Sequence, residues 1–125
     1  MRYSAIVNRA VETYKALGEL TRMRILKLLR QAAGELCVCE LVDVLQKPQY
    51  TVSKALSVLK RLELVDERRA GKLMMYTLIR SPFNDKLFES LDRVPDETSL
   101  YETDCRRLKQ RLALRENGKC VITYR

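Results

Sequence analysis

The sequence predicts a mainly α fold with a β-hairpin wing, that is, a winged helix-turn-helix, and three observations carry that reading. Between Val38 and Leu62 a short apolar-faced segment, a turn at "QKPQ" and a longer helix with one polar face follow one another. Directly afterwards, two β-favouring runs flank Ala70-Gly71. Elsewhere apolar residues recur at spacings of three and four, the period of amphipathic helices.

Taken in order, Ala5 to Leu17 fits a helix through Ile6, Val7, Ala10, Val11, Tyr14 and Leu17. Gly18 interrupts it. Thr21 is placed to cap a second helix, Arg22 to Ala33, which Gly34 ends. Val38 to Leu45 is the short first helix of the helix-turn-helix. Pro48 biases Lys47 away from helical dihedrals and marks the turn, Gln46 to Gln49. From Gln49 to Leu62, Val52, Ala55, Leu56, Leu59 and Leu62 line one face, with Ser53, Lys54, Ser57, Lys60 and Arg61 mainly opposite. Leu64–Arg69 and Leu73–Leu78 read as a hairpin with a basic tip. Two further helices are expected, Phe83 to Arg93 and Ser99 to Glu116, separated by Pro95 and stopped by Asn117-Gly118. Residues 1–116 thus form one domain and 117–125 a tail, a short strand or a loose end.

With 46% apolar residues the chain is expected to fold as one domain. A formal charge of +8, with a pI near 9.5, points to a polyanionic partner such as nucleic acid. No apolar run approaches the ~20 residues of a membrane span, and the charged start is not a signal peptide, so no membrane association and a cytoplasmic location are expected. Reduced thiols follow from that location. The absence of histidine removes the commonest metal ligand and the familiar triads. A small thiol oxidoreductase is disfavoured too, because CxxC and a βαβ pattern are missing. The protein is not expected to be an enzyme.

In a helix-turn-helix the early residues of the second helix reach base edges. Here these are Gln49, Tyr50, Thr51, Ser53, Lys54 and Ser57. Gln49 suits adenine and Lys54 guanine. Lys60, with Arg61, lies further along and suits phosphates, as do the wing cations Arg68, Arg69 and Lys72, which also suit a minor groove. Taken singly, such cations are an ordinary solvated face. One module makes a small interface, so a homodimer on two half-sites of double-stranded operator DNA is expected, through the terminal helices unless these merely complete the core.

Cys37 and Cys39 stand two apart in "GELCVCELVDVLQ". Soft thiolates select zinc, copper(I), cadmium or trivalent arsenic; the bland reading is two small buried apolar residues. Residues two apart on a regular helix point about 200° away from each other. The pair can therefore converge on one ion only if the chain there is not regular helix; at a helix start unwinding one turn is cheap, so binding is expected to distort that start and shift the helix that follows. A helix start is also expected to lower thiol pKa.

The segments "ALGELTRMRILKLL", "GELCVCELVDVL", "TVSKALSVLKRLELV" and "RRAGKLMMYTL" resemble the ArsR/SmtB family of metal-sensing repressors over about residues 16–82, and "ELCVCEL" is similar to the box of its arsenical-resistance branch. The resemblance implies a dimeric winged helix-turn-helix repressor that leaves its operator when As(III) or Sb(III) binds Cys37 and Cys39. The branch's usual third cysteine falls at Val42 here, so Cys105 or Cys120, from the same or the partner subunit, is the remaining candidate third ligand. The histidine-containing zinc site of other members has no counterpart. The alternative effectors are Cd(II) or Pb(II), or oxidation of the thiols.

Overall fold

The computed structural model describes residues 2–123, with side chains from Asn8 onward; Ile6 and Val7 of the expected first apolar face lie outside the described side chains. The elements are α1 (Arg2–Leu17), α2 (Leu20–Ala32), β1 (Leu36–Cys37), α3 (Val38–Leu45), α4 (Gln49–Arg61), β2 (Val65–Ala70), β3 (Leu73–Leu78), α5 (Pro82–Leu91) and α6 (Leu100–Leu112). This is a winged helix-turn-helix.

The local chemistry sets the boundaries. The Glu19 carboxylate, rather than the Thr21 hydroxyl, caps α2, accepting the Thr21 and Arg22 N–H groups at 2.9 and 3.0 Å. Ala33, at φ 52°, ends that helix one residue before Gly34. Gln46, at φ 56°, closes α3 with its N–H on the Val42 carbonyl. Extended Pro48 then opens α4, which makes the turn between the helices tight. Ser81 Oγ accepts the Asn84 N–H at 3.0 Å, so α5 starts at Pro82 and stops at Leu91, short of Arg93.

Two departures from expectation matter for the site. Leu36 and Cys37 form a third strand, so the sheet runs β1-β3-β2, all antiparallel, with Leu36 opposite Tyr76 and Cys37 opposite Met75. Two residues are too few for any periodic pattern. The last helix ends at Leu112, four residues before Glu116. Asn117 and Gly118, at φ 54° and 74°, form a two-residue turn in which Glu116 pairs with Lys119. Successive positive φ values are what Asn-Gly accommodates in a hairpin, so the pair reverses the chain rather than merely stopping a helix.

The core gathers Ile25, Leu26, Leu28 and Leu29 of α2 with Leu41 and Leu45 of α3, Val52, Leu56 and Leu59 of α4, and Phe88 of α5. Leu108 brings α6 onto this core. A buried ion pair fixes α6 there. Arg24 Nε and Nη2 meet the two carboxylate oxygens of Asp104 at 2.8 Å each, and Nη2 also donates to the Leu45 carbonyl at 3.2 Å. The last helix therefore covers α2 and α3 of its own subunit. The outer face of α1 keeps Val11 and Tyr14 exposed, and Tyr14 meets Phe83 of α5 edge-on at 6.1 Å. Among the described residues no helix is long and apolar enough to cross a membrane.

Removing one partner of a buried pair leaves a charge without compensation. Asp104→Ala is expected to cost about 3–5 kcal/mol, whereas Arg24→Met with Asp104→Leu recovers most of that. Urea unfolding followed by circular dichroism separates the two variants.

Candidate thiol centre and nucleic-acid interface

Cys37 is the residue before the first turn of α3, at φ −92° and ψ 165°, while Cys39 lies inside that turn. Only one of the two is helical, so the 200° divergence of a regular helix does not apply. Their sulfurs are already 2.7 Å apart. The chain at the pair is not regular helix, as convergence requires, but the expected unwinding of the helix start is not needed: β1 holds Cys37 extended, and the helix begins beyond it.

The third sulfur comes from the tail. Cys120 Sγ lies 3.5 Å from Cys37 Sγ and 3.7 Å from Cys39 Sγ. The Asn117-Gly118 turn returns the chain towards α3, and two arginines of the α6 region hold it. Arg111 Nε donates to Asp43 at 2.6 Å, and its Nη2 donates to the Ile122 and Thr123 carbonyls. Arg115 grips both oxygens of Glu40 at 2.7 Å and donates to the Glu35 carbonyl at 2.7 Å. Glu40, with 0% exposure, in turn accepts the Cys37 N–H at 3.1 Å. Cys105 stays apart; it is on α6, contacted by the Gln31 amide of α2.

Burial pushes the Cys37 thiol up, reinforced by Cys39 and outweighing the hydrogen bond that its sulfur accepts from the Glu40 backbone N–H. Burial likewise pushes Cys39 up. This corrects the expectation of a lowered pKa at the helix start: each of the two cysteines is 1% exposed, and desolvation of a thiolate outweighs the helix terminus. Burial also opposes ionisation of Glu40, but the Arg115 and Cys37 hydrogen bonds hold its carboxyl below the usual range. Cys37 and Cys39 are thus neutral thiols at rest, beside a compensated ion pair.

A sulfur-bound ion with bonds of about 2.3 Å separates its sulfurs by about 3.3 Å at right angles and about 3.8 Å in a tetrahedron. Both edges to Cys120 fit that window. The Cys37–Cys39 edge, at 2.7 Å, must open by about 0.6 Å.

On α4, Tyr50 is 75% exposed, and Gln49, Lys54, Ser57 and Lys60 are exposed around it, with Thr51 and Ser53 half-buried. Ser57 Oγ donates to the Ser53 carbonyl at 3.0 Å. The opposite face carries buried Val52, Ala55, Leu56 and Leu59. Arg69 and Lys72 stand exposed near the wing tip and make no ion pair among the described residues. Two other cations are engaged within the chain. Arg68 binds both oxygens of Glu35 at 2.6 and 2.8 Å, and Lys60 pairs with Glu67. Exposed pairs are worth only ~0–1 kcal/mol, so a phosphate can replace either carboxylate.

The family model described as "Bacterial regulatory protein, arsR family" matches residues 20–67. The arsenical resistance operon repressor of Staphylococcus xylosus is 36% identical over 95 residues, covering 76% of this chain and 86% of that protein. The chain belongs to the ArsR family. An uncharacterized HTH-type transcriptional regulator of Methanocaldococcus jannaschii, MJ1325, is 42% identical over 71 residues, 57% of this chain and 79% of that protein. A cadmium resistance transcriptional regulatory protein, the CadC homolog of Staphylococcus aureus, is 37% identical over 67 residues, and this chain spans 54% of its length. Among solved structures, the homodimeric winged helix-turn-helix DNA-binding domain of Mb0332 from Mycobacterium bovis has a TM-score of 0.64 at 31% identity, covering 78% of this chain and 87% of that one. As a member of the ArsR/SmtB family, the protein is a transcriptional regulator.

Glu35, Glu40, Arg111 and Arg115 escaped the reading of the sequence, although Cys-x-x-Glu at a helix start has the spacing of a capping box. Arg115→Met leaves Glu40 buried and uncompensated, and is expected to destabilise the fold by about 3–5 kcal/mol in urea titrations. In the folded variant the tail loosens, and Cys120 is alkylated faster by iodoacetamide than in the wild type.

Proposed function

We propose that the protein is a metalloid-responsive repressor that holds operator DNA as a homodimer and is released when As(III) or Sb(III) is bound by Cys37, Cys39 and Cys120. The convergence of three sulfurs from β1, α3 and the tail is the observation that carries this reading. Three thiols with no fourth ligand in the group suit a pyramidal trivalent metalloid better than a tetrahedral ion. The chemistry also balances for neutral thiols. Arsenous acid reacts with three thiols to give three As–S bonds and three waters, so the thiol protons leave on the metalloid's own hydroxyls.

Opening the Cys37–Cys39 edge supplies the signal. Cys37 belongs to β1, hydrogen-bonded to β3 of the wing, and Cys39 to α3, joined to α4 by the tight turn. Moving either sulfur displaces an element attached to the proposed DNA-reading surface: Gln49, Tyr50, Thr51, Ser53, Lys54 and Ser57 at the bases, Lys60, Arg68, Arg69 and Lys72 at phosphates. A ~100-fold loss of DNA affinity needs about 3 kcal/mol of coupling. The exposed Val11, Tyr14 and Phe83 are a patch suited to subunit contact, and the Mycobacterium bovis neighbour is homodimeric.

A second reading keeps the site and takes Cd(II) or Pb(II); the likeness to the Staphylococcus aureus cadmium regulator favours it. Divalent ions displace thiol protons into solution, so their binding weakens as pH falls, whereas that of arsenous acid does not. Oxidation is poorly served, because Cys37 and Cys39 are sealed from an oxidant.

Two measurements test the reading, both by fluorescence anisotropy on the protein's own promoter DNA. Arsenite is expected to release the wild type and Cys105→Ser alike, while Cys37→Ser, Cys39→Ser and Cys120→Ser each need about tenfold more or do not respond, a loss of about 1.4 kcal/mol or greater. Release from all four variants at the wild-type concentration rejects the thiol trio. Separately, Arg69→Ala and Lys72→Ala are each expected to lower the slope of log affinity against log salt by about 1, on specific and unrelated duplexes alike.

A further inference from the structure

A groove of about 570 Å³ lies between the end of α3 and one flank of α6, lined by Asp43, Gln46, Arg107, Gln110 and Arg111. Arg107 and Arg111 stand one turn apart on α6, a spacing that brings two side chains onto one helix face. A guanidinium carries five N–H donors. In Arg111, 3% exposed, Nε donates to Asp43 and Nη2 to the Ile122 and Thr123 carbonyls. Its Nη1 is buried and meets no acceptor among the described residues. A buried charged donor without an acceptor is costly and calls for a partner. Arg107 is half-buried and makes no ion pair among the described residues. Gln46 Nε2 donates one N–H to the Asp43 carbonyl at 2.5 Å and keeps the second, and the Gln110 amide is exposed. Against these donors the groove sets one carboxylate, Asp43, already held by Arg111 at 2.6 Å.

From the juxtaposition of Arg107, Gln46 and Gln110 with the orphaned Nη1 of Arg111, we infer that the groove between α3 and α6 binds a phosphate group. The inference does not depend on what the sulfurs hold. The two arginines outweigh Asp43, so the groove favours an anion, and guanidinium forks match the oxygens of phosphate two at a time. A tetrahedral oxyanion turns acceptors to several sides at once, as donors arriving from two helices require. A planar carboxylate leaves the donors of one helix unpaired. Two sources supply the group: inorganic phosphate from solution, and the backbone of bound DNA. Gln46 brings the second within reach, because it closes α3 at the turn into α4, and the first helix of a helix-turn-helix crosses the DNA backbone. Exposed Arg106 and Lys109 on the same helix add positive potential to the approach. On this reading α6 does more than cover the core; it adds an anion site beyond the helix-turn-helix and the wing.

Melting followed by circular dichroism, in millimolar phosphate against chloride of equal ionic strength, reads the first source. Phosphate is expected to raise the melting temperature of the wild type by about 3 °C more than that of Arg107→Ala. The general salting-out effect of phosphate is common to both proteins and cancels in the difference. Equal melting in chloride shows that the variant is folded, and Arg107→Gln, which keeps most of the side chain without its charge, is expected to behave alike. The slope of log affinity against log chloride, on promoter and unrelated duplexes, reads the second source; Arg107→Ala is expected to lower it by about 1. Lys109→Ala removes a cation of α6 outside the groove and is expected to leave both readings at the wild-type value. A phosphate-specific shift alone identifies the free ion as the ligand, a changed slope alone the DNA backbone, and both together a site that either fills. The inference is overturned if the Arg107 variants match the wild type in both measurements, as they would if water satisfied Arg111, or if Lys109→Ala moves the readings as far as Arg107→Ala does.

Discussion

The buried pair between Glu40 and Arg115 is the contact on which the arrangement of the thiol centre depends. A carboxylate with 0% exposure is tolerable only because a guanidinium meets both of its oxygens at 2.7 Å. Such a charge without its partner costs several kcal/mol. The same carboxylate accepts the Cys37 N–H, which keeps Cys37 extended and outside the helix. The same guanidinium holds the Glu35 carbonyl at the entry to β1 and stands just before the turn that returns Cys120. One ion pair therefore places sulfurs that are far apart in sequence. It ties residues 35–40 to the segment that follows α6 without placing a charged ligand on the sulfurs themselves.

Burial of the centre has two consequences that pull in opposite directions. It raises the cost of forming a thiolate, which makes Cys37 and Cys39 poor nucleophiles towards oxidants. It also removes water from the competition for a soft, neutral effector that brings its own proton acceptors. On the proposed reading, the same desolvation that protects the thiols in the resting state selects arsenous acid over hydrated divalent cations.

The helix-turn-helix, the hairpin and the close pairing of Cys37 with Cys39 were legible in the sequence because each leaves a periodic or motif signal. Val52, Ala55, Leu56 and Leu59 announce a helix face, Ala70-Gly71 sits at the hairpin turn, and "ELCVCEL" marks the pair. What was not legible is non-periodic or long-range. Leu36 and Cys37 become a strand only because β3 offers an unpaired edge. An Asn-Gly pair can stop a helix or reverse a chain, Asn117-Gly118 does the latter, and spacing alone does not separate the two outcomes. The choice of Cys120 over Cys105 followed from that turn and from Arg111 and Arg115, none of which is local to residues 37–39. Ideal-helix geometry required a non-helical chain at the pair, but it could not say that a strand would supply it and that no turn of helix need unwind.

The wing and the thiol centre are joined by charge as well as by strand pairing. Arg68, proposed to meet phosphate, is held by both oxygens of Glu35, and the carbonyl of that residue is held by Arg115 beside the sulfurs. Bound DNA would draw Arg68 from Glu35, leaving Glu35 freer to follow the movement of β1. A centre opened by its effector would shift β1 and carry the Glu35 carboxylate with it, changing its competition with phosphate for the same guanidinium. By linkage the two effects are one coupling seen from opposite ends. The strength of the Glu35–Arg68 contact is thereby bounded on both sides. It must be weak enough for phosphate to displace, as an exposed pair is. It must also be directional enough to sense a displacement of about half an ångström, as two short hydrogen bonds to one carboxylate are.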